Sequence, residues 1–172
     1  MKRFLVLVSC AFLLFSCPAL CGAQESGKRI IPSPRIVLPF YAGASAITDA
    51  PLGDTAAFNF GVEMLGLRLS AKSSPLEANA ALRFSGTFFR PERQVFHLGV
   101  PVRVAYRFGQ RSKAYAGASA EMRVGGVSDY SRFLASVEGG VSFYGFGLRA
   151  AYTVTPVYGV SRAVSLGLII GL

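Results

Sequence analysis

Charge is scarce in this 172-residue sequence. Asp, Glu, Lys and Arg make up 16% of it, against about 25% in an average soluble protein. That is too little to coat an ordinary water-facing surface. Acids are the rarer sign, nine against 18 Lys and Arg. The arginines are scattered singly, which argues against a clustered nucleic-acid patch. Tryptophan is absent, and the three cysteines are Cys10, Cys17 and Cys21. With all of them so near the start, no disulfide framework holds the rest of the chain. His97 is the sole histidine, and no cluster of His, Cys or carboxylates has metal-ligand spacing. There is no phosphate loop. The expectation is therefore no metal, no cofactor and no enzymatic activity. Past the N-terminus no run of about 18 apolar residues occurs, so no helical span absorbs the 52% hydrophobic content.

What is present begins with a targeting segment. Lys2 and Arg3 form a basic start, and Phe4 to Phe15 an apolar stretch broken only by Ser9 and Cys10. "ALCGAQ" then offers small residues for cleavage after Ala23, giving a signal peptide over 1–23. "LFSC" at Leu14 to Cys17 is a loose lipobox, and lipid attachment at Cys17 is the competing reading. Loss of Lys2 and Arg3 lowers the formal charge of +9 by two. An exported, moderately basic chain suits anionic lipid headgroups as partners better than nucleic acid.

Residues 24–34 are a polar, Pro-containing lead-in, expected to be extended or disordered and to lie in the periplasm. From Arg35 onward one pattern recurs: alternating segments separated by Gly, Pro, Asp, Ser or Asn. Phe96, Leu98, Val100, Val102, Val104, Tyr106 and Phe108 share one face, while His97, Gly99, Pro101, Arg103, Ala105 and Arg107 share the other. Period two is the signature of a strand. Similar segments occur at 114–124, 133–143, 148–155 and 163–172. Earlier and noisier ones lie at 35–47, 58–69 and 80–89. In 58–69 the apolar parity switches from Phe58, Phe60, Val62 and Met64 to Leu65, Leu67 and Leu69, which predicts a bulge near Gly66. Eight such segments suit an all-β, eight-stranded antiparallel up-and-down barrel over 35–172.

Two barrels share this pattern. A soluble one turns the large apolar face inward. A transmembrane one turns it outward to lipid. The face opposite Phe96–Phe108 is Gly, Ala, Ser and Pro with occasional Arg. That is too bland for a soluble surface, and it fits the narrow interior of eight strands. Phe96 and Phe108, like Phe133 and Phe143, end one apolar face in the manner of the two aromatic girdles of a membrane barrel.

On this basis the chain resembles the small eight-stranded outer-membrane proteins of the OmpA/OmpX type. Its last eight residues match their C-terminal assembly signal, with Ser165 as the polar position, Gly167 as the glycine, and Ile170 and Leu172 as the hydrophobic ones. Leu172 stands where an aromatic is usual. The relaxed lipobox and the Arg- and Gly-rich texture resemble small spirochaetal outer-membrane proteins. The resemblance implies residence in the cell outer membrane among its lipids, and insertion by the barrel-assembly machinery. It also implies outside loops near 48–56, 90–94, 125–131 and 157–161, and inside turns near 71–77, 109–112 and 144–146. The short loops are the expected route to any host or extracellular ligand. The role implied is structural, surface-exposed or adhesin-like, with a narrow porin-like pore or lipophilic-solute conduit as the alternative.

Six charged residues share the inward parity: Arg103, Arg107, Glu121, Arg123, Glu138 and Arg149. Arg83 joins them if its register allows. An unpaired charge in a narrow, partly dry lumen costs several kcal/mol, so these side chains are expected to pair. They then either line a polar channel or plug it with ion pairs, and the narrowness of eight strands favours the plug. His97 raises a further alternative, a lipid A-modifying enzyme with Ser85 or Glu92 as partner. A lone histidine near a strand end more often belongs to a girdle or loop.

Overall fold

The computed structural model describes residues 30–35, 39–48, 55–71 and 74–171. The leader with Cys17, residues 24–29 of the lead-in, most of the loop at 48–56, and Leu172 lie outside them. The described chain forms nine strands: β1 (Ile30–Arg35), β2 (Phe40–Ile47), β3 (Ala56–Ala71), β4 (Leu76–Arg90), β5 (Arg93–Arg107), β6 (Ser112–Gly126), β7 (Phe133–Phe143), β8 (Phe146–Thr153) and β9 (Ala163–Ile170).

Every neighbouring pair is antiparallel. From β3 to β9 each strand pairs with the next, and β2 pairs with both β3 and β9, which closes the barrel. β1 runs beside the second half of β3, where Ile30 faces Ala71 and Arg35 faces Gly66. β1 and β2 thus share the first of eight staves. The stave expected as one strand over 35–47 is described on either side of residues 36–38, which lie outside the described residues, and its pairing reaches back to Ile30, inside the segment read as lead-in. Pro39 leads into β2. It has no N–H to give a ladder, but its carbonyl accepts a 2.9 Å bond from the Glu63 N–H.

The alternation read from the sequence decides what faces where. On β5, Val95, His97, Gly99, Pro101, Arg103 and Ala105 are buried, while Leu98, Val104 and Tyr106 are exposed. The large apolar face is therefore the outer one. The same holds on β8 and β9, where Leu148, Leu166 and Leu168 are each more than 60% exposed. The parity switch in β3 is a bulge. Register shifts between Met64 and Leu67, and Leu65 takes a left-handed φ of 49° with its side chain exposed. Without the shift, Leu67 and Leu69 would turn into the lumen and Arg68 out of it.

Aromatic rings collect at both ends of the outer face. Phe58, Phe60, Phe84, Phe88 and Phe96 form a continuous patch with ring centroids 5.6–6.5 Å apart. At the other end Phe108 meets Phe143 edge to face at 5.9 Å, and the tight turn through Tyr144 and Gly145, both at positive φ, leads directly to Phe146. Positive φ at two successive residues suits the twist of a two-residue hairpin.

Candidate functional site

The centre of the lumen holds six charged side chains, one from each of six consecutive strands. They are Glu63 of β3, Arg83 of β4, Arg103 of β5, Glu121 of β6, Glu138 of β7 and Arg149 of β8. Three guanidiniums meet three carboxylates, so the cluster is neutral. Arg83, 0% exposed, is its hub. It donates to Glu63 from Nε at 3.0 Å and Nη2 at 2.7 Å, to Glu121 at 3.2 Å, and to both oxygens of Glu138 at 2.9 Å. Arg103 bridges Glu63 and Glu138, reaching Glu138 at 2.5 Å and Glu63 at 2.6 Å. Arg149 closes the set with bonds of 2.7 and 3.0 Å to Glu138. Glu121 also accepts from Ser85 at 2.7 Å and Ser119 at 3.2 Å. Charges this deep are tolerated only when paired and hydrogen-bonded, and each of these is.

Glycine makes the space. Across the strands, Gly99 lies between Arg83 and Glu121, Gly117 between Arg103 and Glu138, and Gly140 between Tyr115 and Arg149. A Cβ on Gly117 would collide with the Val102 carbonyl and the Arg103 side chain. Tyrosine rings fill what remains. Tyr41, whose ring occupies the space above Gly61, lies 4.2 Å from the Arg149 guanidinium and 5.2 Å from that of Arg83. Tyr115 lies 5.3 Å from that of Arg103. Such cation–π contacts strengthen where water is excluded.

Parity brings Arg103, Glu121, Glu138 and Arg149 together as expected, with Arg83. It does not bring in Arg107 or Arg123, which face inward at other heights. Arg107 sits at the turn-end mouth with its side chain 40% exposed and its Nε 3.5 Å from Glu77. Arg123 stands at the loop end and donates to the carbonyls of Val127 and Tyr130 at 2.6 Å. Sequence reasoning misses Glu63, although Asn59, Gly61 and Glu63 alternate with Phe58, Phe60 and Val62, a signal obscured by the nearby bulge. The C-terminal positions Ser165 and Gly167 face the lumen and Ile170 faces out.

Towards the loop end lies a polar chamber of about 60 Å³, lined by Ser45, Asn59, Ser85, His97, Glu121 and Thr153 among others. It is large enough for about four waters. His97 is 1% exposed and not a girdle or loop residue. The correction follows from register: it pairs across the sheet with Ser85 and Arg123, both inward. Its Nε2 has no hydrogen-bond partner among the described residues. The Ser85 hydroxyl serves Glu121 rather than His97, and Glu92 is exposed in the 91–92 turn. Above the chamber, Ile47, Val95, Tyr130, Leu134, Val157, Tyr158 and Ala163 form an apolar cap. Tyr130 packs edge to face on Tyr158 at 4.9 Å, and burial in this cap pushes its phenol above the ordinary range. No group of three or more potential metal ligands occurs among the described residues.

No family model matches the chain, and no curated protein does. Among solved structures, one described as "De novo design of transmembrane beta-barrels" is 12% identical, covering 83% of this chain and 100% of its own, with a TM-score of 0.43.

Proposed function

We propose that this chain is a membrane-spanning β-barrel with a closed lumen, exported to the outer membrane. Its role there is structural or surface-exposed and adhesin-like. The inverted distribution of polarity carries the reading. Leucine, valine and phenylalanine face outward on strand after strand, while arginine and glutamate are buried inside. A soluble protein does not expose so continuous an apolar surface, whereas a lipid-facing barrel needs one, bounded by aromatic girdles. The test is to refold the chain in detergent and compare gel mobility with and without heating. Heat-modifiable mobility is expected. A folded protein that stays soluble without detergent would overturn the membrane assignment.

The alternative of a narrow pore is disfavoured by two barriers in series, the neutral ion cluster and the apolar cap. Planar-bilayer recordings are expected to show no steady current, and resolved unitary conductance would restore the pore. The reading is non-enzymatic, supported by a His97 buried inside the lumen beneath the cap, with no hydrogen bond to Ser85. Lipid A of unchanged mass after replacement of His97 is the expected result.

A further inference from the structure

Among the described residues, cations outnumber acids at the turn-end mouth of the lumen. Here Arg68 of β3, Arg107 of β5, Arg111 of the β5–β6 turn and Lys113 of β6 surround a cavity of about 410 Å³. Among the described residues its lining holds one acid, Glu77 of β4, itself 4% exposed. Arg68 pairs with Glu77, Arg107 lies 3.5 Å from it, and Lys113 lies 3.6 Å from it. Arg111 rests against the Tyr144 ring, 5.4 Å from its centroid. Arg68 Nε is buried with no hydrogen-bond partner among the described residues.

Charged donors outnumber charged acceptors among the described residues of the lining. A carboxylate offers about four lone-pair sites, while three guanidiniums and one ammonium bring about eighteen N–H groups. Glu77 already acts as a built-in oxyanion, and its single charge is shared among Arg68, Arg107 and Lys113. The cavity is within the usual size of ligand sites, about 300–1,000 Å³. A tetrahedral, multiply charged oxyanion accepts from several directions at once and suits converging arginine forks better than a second carboxylate does.

We propose that the turn-end mouth, formed by Arg68, Arg107, Arg111 and Lys113 around Glu77, binds a phosphate-type oxyanion, borne by a free phosphorylated solute or by a phospholipid headgroup. The lipid source rests on the membrane reading and the free anion does not. A barrel that proved soluble without detergent would therefore remove only the lipid arm.

The experiment uses the full chain folded in a phosphate-free maltoside detergent at low salt. Pyrophosphate is titrated in one arm and short-chain phosphatidylglycerol in the other, read by calorimetry and phosphorus NMR. Saturable binding in at least one arm is expected, and the arm that saturates identifies the source. Arg107→Gln/Lys113→Gln is expected to weaken binding by about tenfold or more, as befits the loss of charge-assisted bonds. Arg111→Gln, in an exposed turn, weakens it without threatening the fold. Glu77→Gln tightens it, because the competing carboxylate is gone. Arg162→Gln, at the opposite end of the barrel where it bonds Tyr152, leaves it unchanged. No saturation in either arm, or binding indifferent to Arg111→Gln and to the double variant, would overturn the proposal.

Discussion

The centre of the lumen and its turn-end mouth are built from the same side chains to different effect. At the centre, three arginines face three glutamates, deeply buried and bonded to one another. At the mouth, four cations face one glutamate among the described residues, beside an open cavity. The chemistry is shared, and the balance differs. Balanced charge in a buried site satisfies itself and closes the lumen. Unbalanced charge near water is only weakly committed to its internal partner and stays available to a ligand.

The comparison is broken most severely by Glu138→Ala, which strips a carboxylate from Arg83, Arg103 and Arg149 together. Breaking a buried ion pair costs about 3–5 kcal/mol, so the heat-shift temperature in detergent should fall sharply. Unchanged stability would mean that the centre is no plug. Next comes Gly117→Val, which places atoms where the Val102 carbonyl and Arg103 already sit. Overpacking of this kind costs about 1–3 kcal/mol, visible in the same assay. A smaller effect sharpens the contrast. Glu77→Gln alters the charge at the mouth, where its three partners are part-exposed, and should cost about 1 kcal/mol or less, well below Glu138→Ala. Equal losses at the two sites would erase the distinction drawn between them.

The smallest effect concerns the apolar cap. Burial raises the Tyr130 phenol in the folded barrel. Its contribution is therefore fully present below the ordinary tyrosine value of about 10 and lost as pH rises towards the folded one. Thermal stability should decline more steeply above about pH 10 in the wild type than in Tyr130→Phe. Parallel curves would show that this phenol is not the group responsible.

Face is legible in sequence and height is not. Period two assigns Arg103, Arg107, Glu121, Arg123, Glu138 and Arg149 to one inward face. It cannot show that Arg107 and Arg123 lie at opposite mouths, because alternation reports direction and not position along the barrel axis. The bulge at Leu65–Gly66 is readable because hydrophobic parity changes across it. The same irregularity hides Glu63. The cap is invisible for another reason. Tyr130, Val157 and Tyr158 lie in connections without periodicity, and only folding back of 127–132 and 154–162 brings them together. The reach of the first stave back to Ile30 also escapes the sequence, since its alternation is the weakest.

One charge from each of six successive strands has a consequence for assembly. Bonds within the central cluster join residues from 11 to 55 positions apart, so Arg83 waits for β7 to arrive before it gains Glu138. Long-range partners of this kind make folding slow and favour all-or-none completion. They also proofread. A strand that slips by one residue turns its arginine or glutamate out onto the apolar wall and strands the charges left behind. The cluster that closes the lumen thus serves as a checksum, satisfied only when β3 to β8 have found their places together.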